Sequence, residues 1–344
     1  MKISILIPCH NEEKSIAACV TSCLEQTRPA DQIVVVNDGS TDRSLEILQS
    51  FGDRIEVINV PVATGNKSHA QEIGLKVVTG DVFISTDGDT VLDKHFVEYV
   101  EQDFLTNPGL SAVSGYVRSI EHNWLTACRA LEYSIGQNLH KLAQHHLGYI
   151  FVIPGAAGIF KTEDFKTHIP FEHDTLTEDL DFTYRLHKLD LHIILDRRLI
   201  VYTQDPTTLT AYMNQVRRWM AGGWQCIIKH YRLPTKQPKV AFELSIVYAE
   251  GLIFASLFFL LPLLSLSFYL IFITAYFMLV FAFSCFAAWK ERRWALVFVS
   301  IPYIFLTYIN AYIFIEQMIK EVFLRKRNLV WYQPDRFIAK SPQQ

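Results

Sequence analysis

Gln32-Ile33-Val34-Val35-Val36-Asn37-Asp38-Gly39-Ser40 is a β-branched run that stops on an acidic turn. Val and Ile fit a buried, pleated surface, so residues 32–37 read as a strand, and Asp38-Gly39 ends it with turn chemistry. The same grammar recurs on both sides. Ile3-Ser4-Ile5-Leu6-Ile7 is another buried strand, and residues 12–26 follow with helical spacing (Ile16, Val20, Cys23, Leu24). Thr41-Asp42 can cap a helix that begins near Arg43. Residues 54–60 make a third strand, 68–79 a helix, and 81–86 a fourth strand that runs into Asp87-Gly88-Asp89. Short strands alternating with helices of about ten residues predict an α/β domain: a mostly parallel sheet with helices on both faces. In such sheets ligands bind beyond the carboxyl ends of the strands, where Asp38 and Asp87 both fall. One Asp-Gly pair is ordinary loop chemistry; a pair at each of these strand ends points to a site.

The chain has 344 residues, 50% of them hydrophobic, and a formal net charge of −3, so no basic excess argues for nucleic acid. Cys9, Cys19, Cys23, Cys128, Cys226 and Cys285 lack the paired spacing with histidines of a zinc site. Cys19 and Cys23, four apart, read as buried residues on one helix face, and reduced thiols fit a cytosol-facing domain. Met1 leads directly into the apolar run 3–7, which is too short for a signal peptide. The catalytic part is therefore expected on the side where the protein is made.

Beyond Pro108 the pattern is less regular. Residues 121–147 read as a helix with Leu125, Leu131, Ile135 and Leu139 near one face and His140, His145 and His146 on the surface. Residues 151–160 read as a strand interrupted by Gly155-Ala156-Ala157-Gly158, small residues that admit either a bulky sugar or close packing. Residues 176–188 read as a helix capped at Thr177, with Glu178 and Asp179 mounted on its first turn. Residues 210–231 mix Tyr212, Trp219, Trp224 and Ile228 with Arg217, Arg218, Lys229 and His230, the pattern of an amphipathic helix at a membrane interface.

After a Pro-bounded hinge at 233–239, only Glu243 and Glu250 are charged between Ala241 and Ala288. A bilayer crossing takes about 20 apolar residues, so residues 243–288 suit two crossings that turn near 262–267. Trp289-Lys290-Glu291-Arg292-Arg293-Trp294 reads as a cytosolic loop, and 295–315 as a third apolar run. Three full crossings would put Lys320 and Arg325-Lys326-Arg327 outside, against the positive-inside rule. Either the third run is re-entrant or interfacial, or the tail is an exception. The expected organisation is a catalytic domain at 1–209, an interface helix and hinge at 210–239, two or three membrane helices at 240–319, and a tail at 320–344.

Asp87 and Asp89 place carboxylates on one short turn, suited to a divalent cation beside a diphosphate. Asp179 is a candidate general base for an alcohol. Lys67, Arg217 and Arg218 can meet phosphate charge, and Trp219 offers a flat face to a sugar ring.

In this order and spacing the motifs resemble the inverting glycosyltransferases of family 2, especially the membrane-embedded processive branch. That branch includes the hyaluronan, cellulose, chitin and poly-N-acetylglucosamine synthases. The resemblance covers roughly residues 1–232 and implies a GT-A-type nucleotide-diphospho-sugar transferase fold. Pro8-Cys9-His10-Asn11-Glu12 is similar to the family's opening nucleotide loop, which assigns Pro8 and Glu12 to the donor. Asn37-Asp38-Gly39-Ser40 is similar to its uracil-binding turn, with Asn37 in place of an Asp and Asp38 at the base. Gly65-Asn66-Lys67-Ser68 is similar to its Gly-Lys segment with Asn66 inserted, which assigns Lys67 to the donor. By the same resemblance Asp87 faces the nucleoside and Asp89 binds Mg²⁺ or Mn²⁺, with Asp87 beside it. Asp179 of Thr177-Glu178-Asp179 becomes the catalytic base. Glu178, with Gln215, Arg218 and Trp219 of the Gln-x-x-Arg-Trp motif, borders the acceptor and the diphosphate.

The resemblance implies transfer of a sugar, N-acetylglucosamine, from a UDP-sugar to a growing β-linked polysaccharide by a multi-pass enzyme of the cell membrane, with its catalytic domain cytosolic. The processive synthases carry membrane helices before the catalytic domain and a longer membrane part, so a partner subunit or a homo-oligomer is an expected addition. The alternatives are single glycosylation of a membrane lipid and a non-catalytic subunit that binds nucleotide or glycan.

Overall fold

The computed structural model describes residues 1–326 and 336–338. Its contacts divide the chain into two compact units, one of 1–120, 148–204 and the C-terminal residues 336–338, the other of 121–147 and 205–326. The segment 121–147, expected inside the catalytic domain, thus belongs to the second unit. The C-terminal residues belong to the first.

In the first unit β1 (Ile3–Cys9), α1 (Ile16–Leu24), β2 (Gln32–Asp38), α2 (Ser44–Gln49), β3 (Glu56–Val60), α3 (Lys67–Val77) and β4 (Val82–Ser85) form the alternating half. Then come β5 (Thr90–Leu92), α4 (Phe96–Thr106) and β6 (Leu110–Ser119). The second unit contributes α5 (Trp124–Ile135) and α6 (Leu142–His146) before the first resumes with β7 (Gly158–Lys161), α7 (Thr162–His168), α8 (Glu178–Lys188) and β8 (His192–Thr203).

The strands make an eight-stranded sheet in the order β3-β2-β1-β4-β7-β6-β8-β5. It is mixed. Four of the seven pairings are parallel, while β4–β7, β6–β7 and β5–β8 are antiparallel. The expected strand at 151–160 shortens to β7, because Gly155–Ala157 winds a 3₁₀ turn behind Pro154. Every residue of β1 is buried, as a strand covered on both faces requires. Ile3, Ile5, Ile7 and Val34–Val36 are fully enclosed, each side chain worth about 1.5–3 kcal/mol. The register pairs Cys9 with Asn37 and Asp38 with Val60. It therefore levels the carboxyl ends of β1, β2 and β3 at the edge where the acidic turns lie.

In the second unit Asn123 caps α5, its Oδ1 accepting from Leu125 N at 3.0 Å and Thr126 N at 3.2 Å. Residues 136–141 then widen into a π-helical turn, so the helix expected across 121–147 is two α segments with a bulge. α9 (Leu209–Lys229) starts on Thr208, whose hydroxyl accepts from Ala211 N. It is more enclosed than an interfacial helix: Tyr212 and Val216 pack with Leu125, Cys128, Leu306 and Ile313. The third apolar run thus supplies a helix, Ser300–Met318, that packs against α5 and α9.

Pro238–Leu264 and Leu266–Glu291 are long and apolar enough to cross a bilayer, and they break at Ser265, inside the turn expected at 262–267. Leu263, Leu264, Phe268 and Ile271 stand exposed on them. Apolar side chains displayed at that density on helices of that length indicate association with a membrane. Arg327 and most of the tail expected at 320–344 lie outside the described residues.

Gly39 and Gly52 both hold φ of +58°, but a Cβ on Gly39 would stand 2.1 Å from Ala63 N, whereas one on Gly52 meets nothing. Gly52→Ala should therefore cost only the left-handed backbone term, about 1–2 kcal/mol. Gly39→Ala should lower the thermal midpoint clearly further. Equal shifts in a melting experiment would show that the 61–64 loop moves freely away from Gly39.

Candidate active site

The turn after β2 is built around Asp38. Its Oδ1 accepts from Thr64 N at 2.8 Å and its Oδ2 from the Thr64 hydroxyl at 2.7 Å. Its backbone carbonyl meets His10 Nδ1 at 2.6 Å. Gly39 N donates to Val60 O, so β3 and the loop behind it fix the carboxylate's direction. Pro8 is buried near the end of β1. Glu12, also buried, receives Ser15 Oγ on its carboxylate at 2.5 Å and gives its backbone N–H to Ser44 Oγ at 2.8 Å.

Lys67 is the first residue of α3, directly after the N-cap Asn66, whose side chain accepts from Ser68 N at 3.1 Å. From that fixed start its ammonium reaches Asp87, and Glu178 Oε1 at 3.2 Å. Burial works against the charge, but the Asp87 and Glu178 carboxylates more than offset it and hold the ammonium protonated. Asp179 sits beside this network on the first turn of α8. Its Oδ1 accepts from Leu180 N at 2.9 Å and its Oδ2 from Gly155 N at 3.3 Å. The Thr177 side chain makes no capping bond, so the expected cap is supplied instead by the Asp179 carboxyl on its own helix.

Burial, then the neighbouring Glu178, pushes Asp179 up to about 6, against the pull of Lys67 and the two amides. A carboxyl in that range accepts a proton near neutrality, as general-base chemistry needs. Gly155 makes the room: a Cβ there would stand 2.9 Å from Lys67 Nζ. Gly155 thus accommodates the protein's own lysine.

Asp89 pairs with a different cation. Its Oδ2 lies 2.7 Å from Nη2 of Arg336, whose Nε lies 3.2 Å from Glu12 Oε1. Burial raises Asp89 to about 7 even with Arg336 beside it, since Glu12 and Asp87 add negative charge. Among the described residues no group of three or more His, Cys, Asp or Glu side chains forms a metal cage. A nucleotide-bound Mg²⁺ or Mn²⁺ uses only one or two carboxylates with the phosphates. A buried, electron-rich carboxylate that already holds a guanidinium suits such an ion, so the donor set fits.

Gln215, Arg218 and Trp219 lie on α9, in the second unit. Gln215 Oε1 is buried with no hydrogen-bond partner among the described residues. Arg217, read as a phosphate ligand, instead pairs with Glu316 at 2.9 Å on the Ser300–Met318 helix. The guanidinium carbon of Arg129 stands 4.6 Å from the Trp219 ring centroid. Arg129 is fully buried, 3.3 Å from Asp205 Oδ1 and 3.0 Å from Tyr133 Oη. One side of the indole is thus occupied from within. The structure brings together Lys67, Asp87, Glu178 and Asp179 in one cluster and Glu12 and Asp89 in another, with Arg336 the member that sequence reading missed. Nothing in the chain before residue 336 signals its return to Asp89.

Residues 4–164 match the family model described as Glycosyl transferase family 2. A poly-beta-1,6-N-acetyl-D-glucosamine synthase of Staphylococcus epidermidis is 28% identical over 242 residues, 70% of this chain and 58% of that protein. One from Staphylococcus aureus strain COL is 25% identical over 253 residues, 73% and 61%. The chain therefore spans less than two thirds of the length of these relatives. Among solved structures, the mannosyltransferase PcManGT of Pyrobaculum calidifontis in complex with GDP-Man and Mn²⁺ aligns over 94% of this chain and 88% of its own, with TM-score 0.66 and 19% identity. S. aureus TarS 1-349 in complex with UDP-GlcNAc aligns over 64% and 66%, with TM-score 0.51 and 18% identity. At these identities the likeness is one of fold.

Gly155→Ala tests the cluster directly. The backbone there is ordinary and the clash falls on the flexible end of Lys67, so the thermal midpoint should move little. Turnover should fall by about tenfold, the effect of misplacing catalytic groups by a fraction of an ångström. Unchanged turnover would show that the Lys67 position is not critical.

Proposed function

We propose, from the match of residues 4–164 to the Glycosyl transferase family 2 model, that this chain is an inverting, membrane-bound transferase that moves N-acetylglucosamine from a UDP-sugar to a growing β-linked polysaccharide. The observation that carries the reading is Asp179, a carboxyl raised to about 6 and held on a helix start by Leu180 and Gly155 amides. The sugar and polymer follow the names of the two staphylococcal synthases and the UDP-GlcNAc complex. In a GT-A-type fold, Asp179 takes the proton from an acceptor hydroxyl as the oxygen attacks the anomeric carbon. The bond to the diphosphate breaks on the opposite face, and UDP leaves with its electron pair. Pro8, Glu12, Asp38 and Asp87 face the nucleotide, and Lys67 meets phosphate charge. Asp89, with Asp87, would hold Mg²⁺ or Mn²⁺, which when bound neutralises the departing diphosphate. Glu178, Gln215, Arg218 and Trp219 serve the acceptor and diphosphate, and the catalytic domain works on the cytosolic side of the cell membrane.

A single transfer onto a membrane lipid is the second reading. It is favoured by the placement of Gln215–Trp219 in the same compact unit as both apolar helices.

The acid limb of the pH–rate profile should fall near pH 6, because activity requires the ionised Asp179 and is lost as pH drops through its proton affinity. Asp179→Asn should lower kcat by about 10²–10⁴ with UDP binding retained. Lys67→Met removes a charge that holds Asp179 down and should move the limb to higher pH. A folded Asp179→Asn protein with near-normal turnover would overturn the assignment.

Product length decides the acceptor. Purified full-length protein given a panel of UDP-sugars should make long chains at low conversion, read by mass analysis, and use UDP-N-acetylglucosamine best. A product that stops at one sugar on lipid would replace the polymer reading with the second.

A further inference from the structure

Arg336 is the one charged group of the Asp89 cluster that the mechanism leaves without a task. Its side chain is 11% exposed, and those of Asp89 and Glu12 6% each. The Nη2 group meets Asp89 Oδ2 at 2.7 Å, Nε meets Glu12 Oε1 at 3.2 Å, and Nη1 donates to the Gln204 carbonyl at 3.4 Å. The next residue is tied at the same place, with Phe337 N donating to Gln204 Oε1 at 3.0 Å. Four contacts from two adjacent residues onto three partners define a seat. A buried carboxylate pair without a cation is strongly disfavoured, so whatever leaves this seat must be replaced.

We propose that Arg336 is a tethered cation that holds the Asp89–Glu12 carboxylates in the donor-free protein and competes there with the divalent metal, so that the ion binds well only together with the nucleotide diphosphate. A bare divalent ion would have to take Asp89, a carboxylate that the guanidinium already neutralises. The same ion carried by a diphosphate also keeps its phosphate oxygens, ligands for which Arg336 does not compete. Metal and donor therefore enter as a unit, and an idle enzyme holds little metal. The inference rests on Asp89 as the metal-holding residue, and its test keeps the two apart.

Mn²⁺ binding is measured by electron paramagnetic resonance on the full-length protein in detergent, without donor and with UDP. Without UDP, Arg336→Gln should bind Mn²⁺ at least about tenfold more tightly than wild type, a difference of about 1.4 kcal/mol. Arg336→Lys, which keeps one charge but loses the fork, should fall between them. Adding UDP should tighten wild type far more than Arg336→Gln. Asp89→Asn should abolish site binding in either background. Equal Mn²⁺ affinity in wild type, Arg336→Gln and Arg336→Lys, with Asp89→Asn still inactive in binding, would overturn the proposal and leave the metal reading standing. Undiminished binding by Asp89→Asn would overturn the metal reading itself.

Discussion

Burial of carboxylates beyond β-strand ends and on the first turn of α8 is the constraint around which the first unit is organised. Glu12, Asp89 and Glu178 are buried, Asp87 and Asp179 partly so, and each must be neutralised, hydrogen-bonded or protonated. The protein meets this with two cations placed by different means. Lys67 is fixed by the capped start of α3 and bridges Asp87 and Glu178. Arg336 comes from more than 240 positions along the chain from Asp89. Burial first, and then the excess of negative over positive charge, raises the proton affinity of Asp89 and Asp179. A site built this way is short of cation, which suits a ligand that arrives as a metal diphosphate.

The alternating half of the sheet was legible because its signals are local. Apolar strands β1 to β4, each followed by a turn or cap, state their own boundaries within two or three residues. The antiparallel additions were less legible for an equally physical reason. β5 has three residues, too few to show a period, and β7 reads only as part of a longer strand at 151–160 that the turn at Gly155–Ala157 cuts short. β8 carries Asp196, Arg197 and Arg198 in mid-strand, so it does not read as a buried strand at all. Its pairing with β6 has register shifts near those residues, where the charged stretch swings off the ladder.

The motif residues fared differently. Asp38, Lys67, Asp87 and Asp179 are picked out by type and spacing and Glu178 by the resemblance, yet the groups that orient Asp38 and Asp179 are not. Thr64 on Asp38 and Gly155 on Asp179 depend on tertiary placement. In α9 the mixed aromatic and basic pattern was read as an interface with lipid. Much of it is internal chemistry instead: Arg217 has Glu316, and Tyr212 has Asn310 at 2.8 Å. An amphipathic pattern records that a helix has two kinds of neighbour and does not say whether the apolar one is lipid or protein.

The same distinction bears on Trp219. A free indole would offer either face to a sugar, but Arg129 stands over this one, held by Asp205, Glu132 and Tyr133. A cation on the ring draws on its negative face and costs the indole rotational freedom. Under the proposed function, only the remaining face and the ring edge are left for an acceptor, already fixed in angle before one binds. Such fixing reduces the ordering cost of association, so a modest stacking contact can discriminate among acceptors without holding any of them tightly. An acceptor site of that kind permits release after each step as readily as retention. On the proposed polymer reading, retention of a chain would then depend on contacts beyond Trp219, since stacking on one ring contributes too little to hold a polymer by itself.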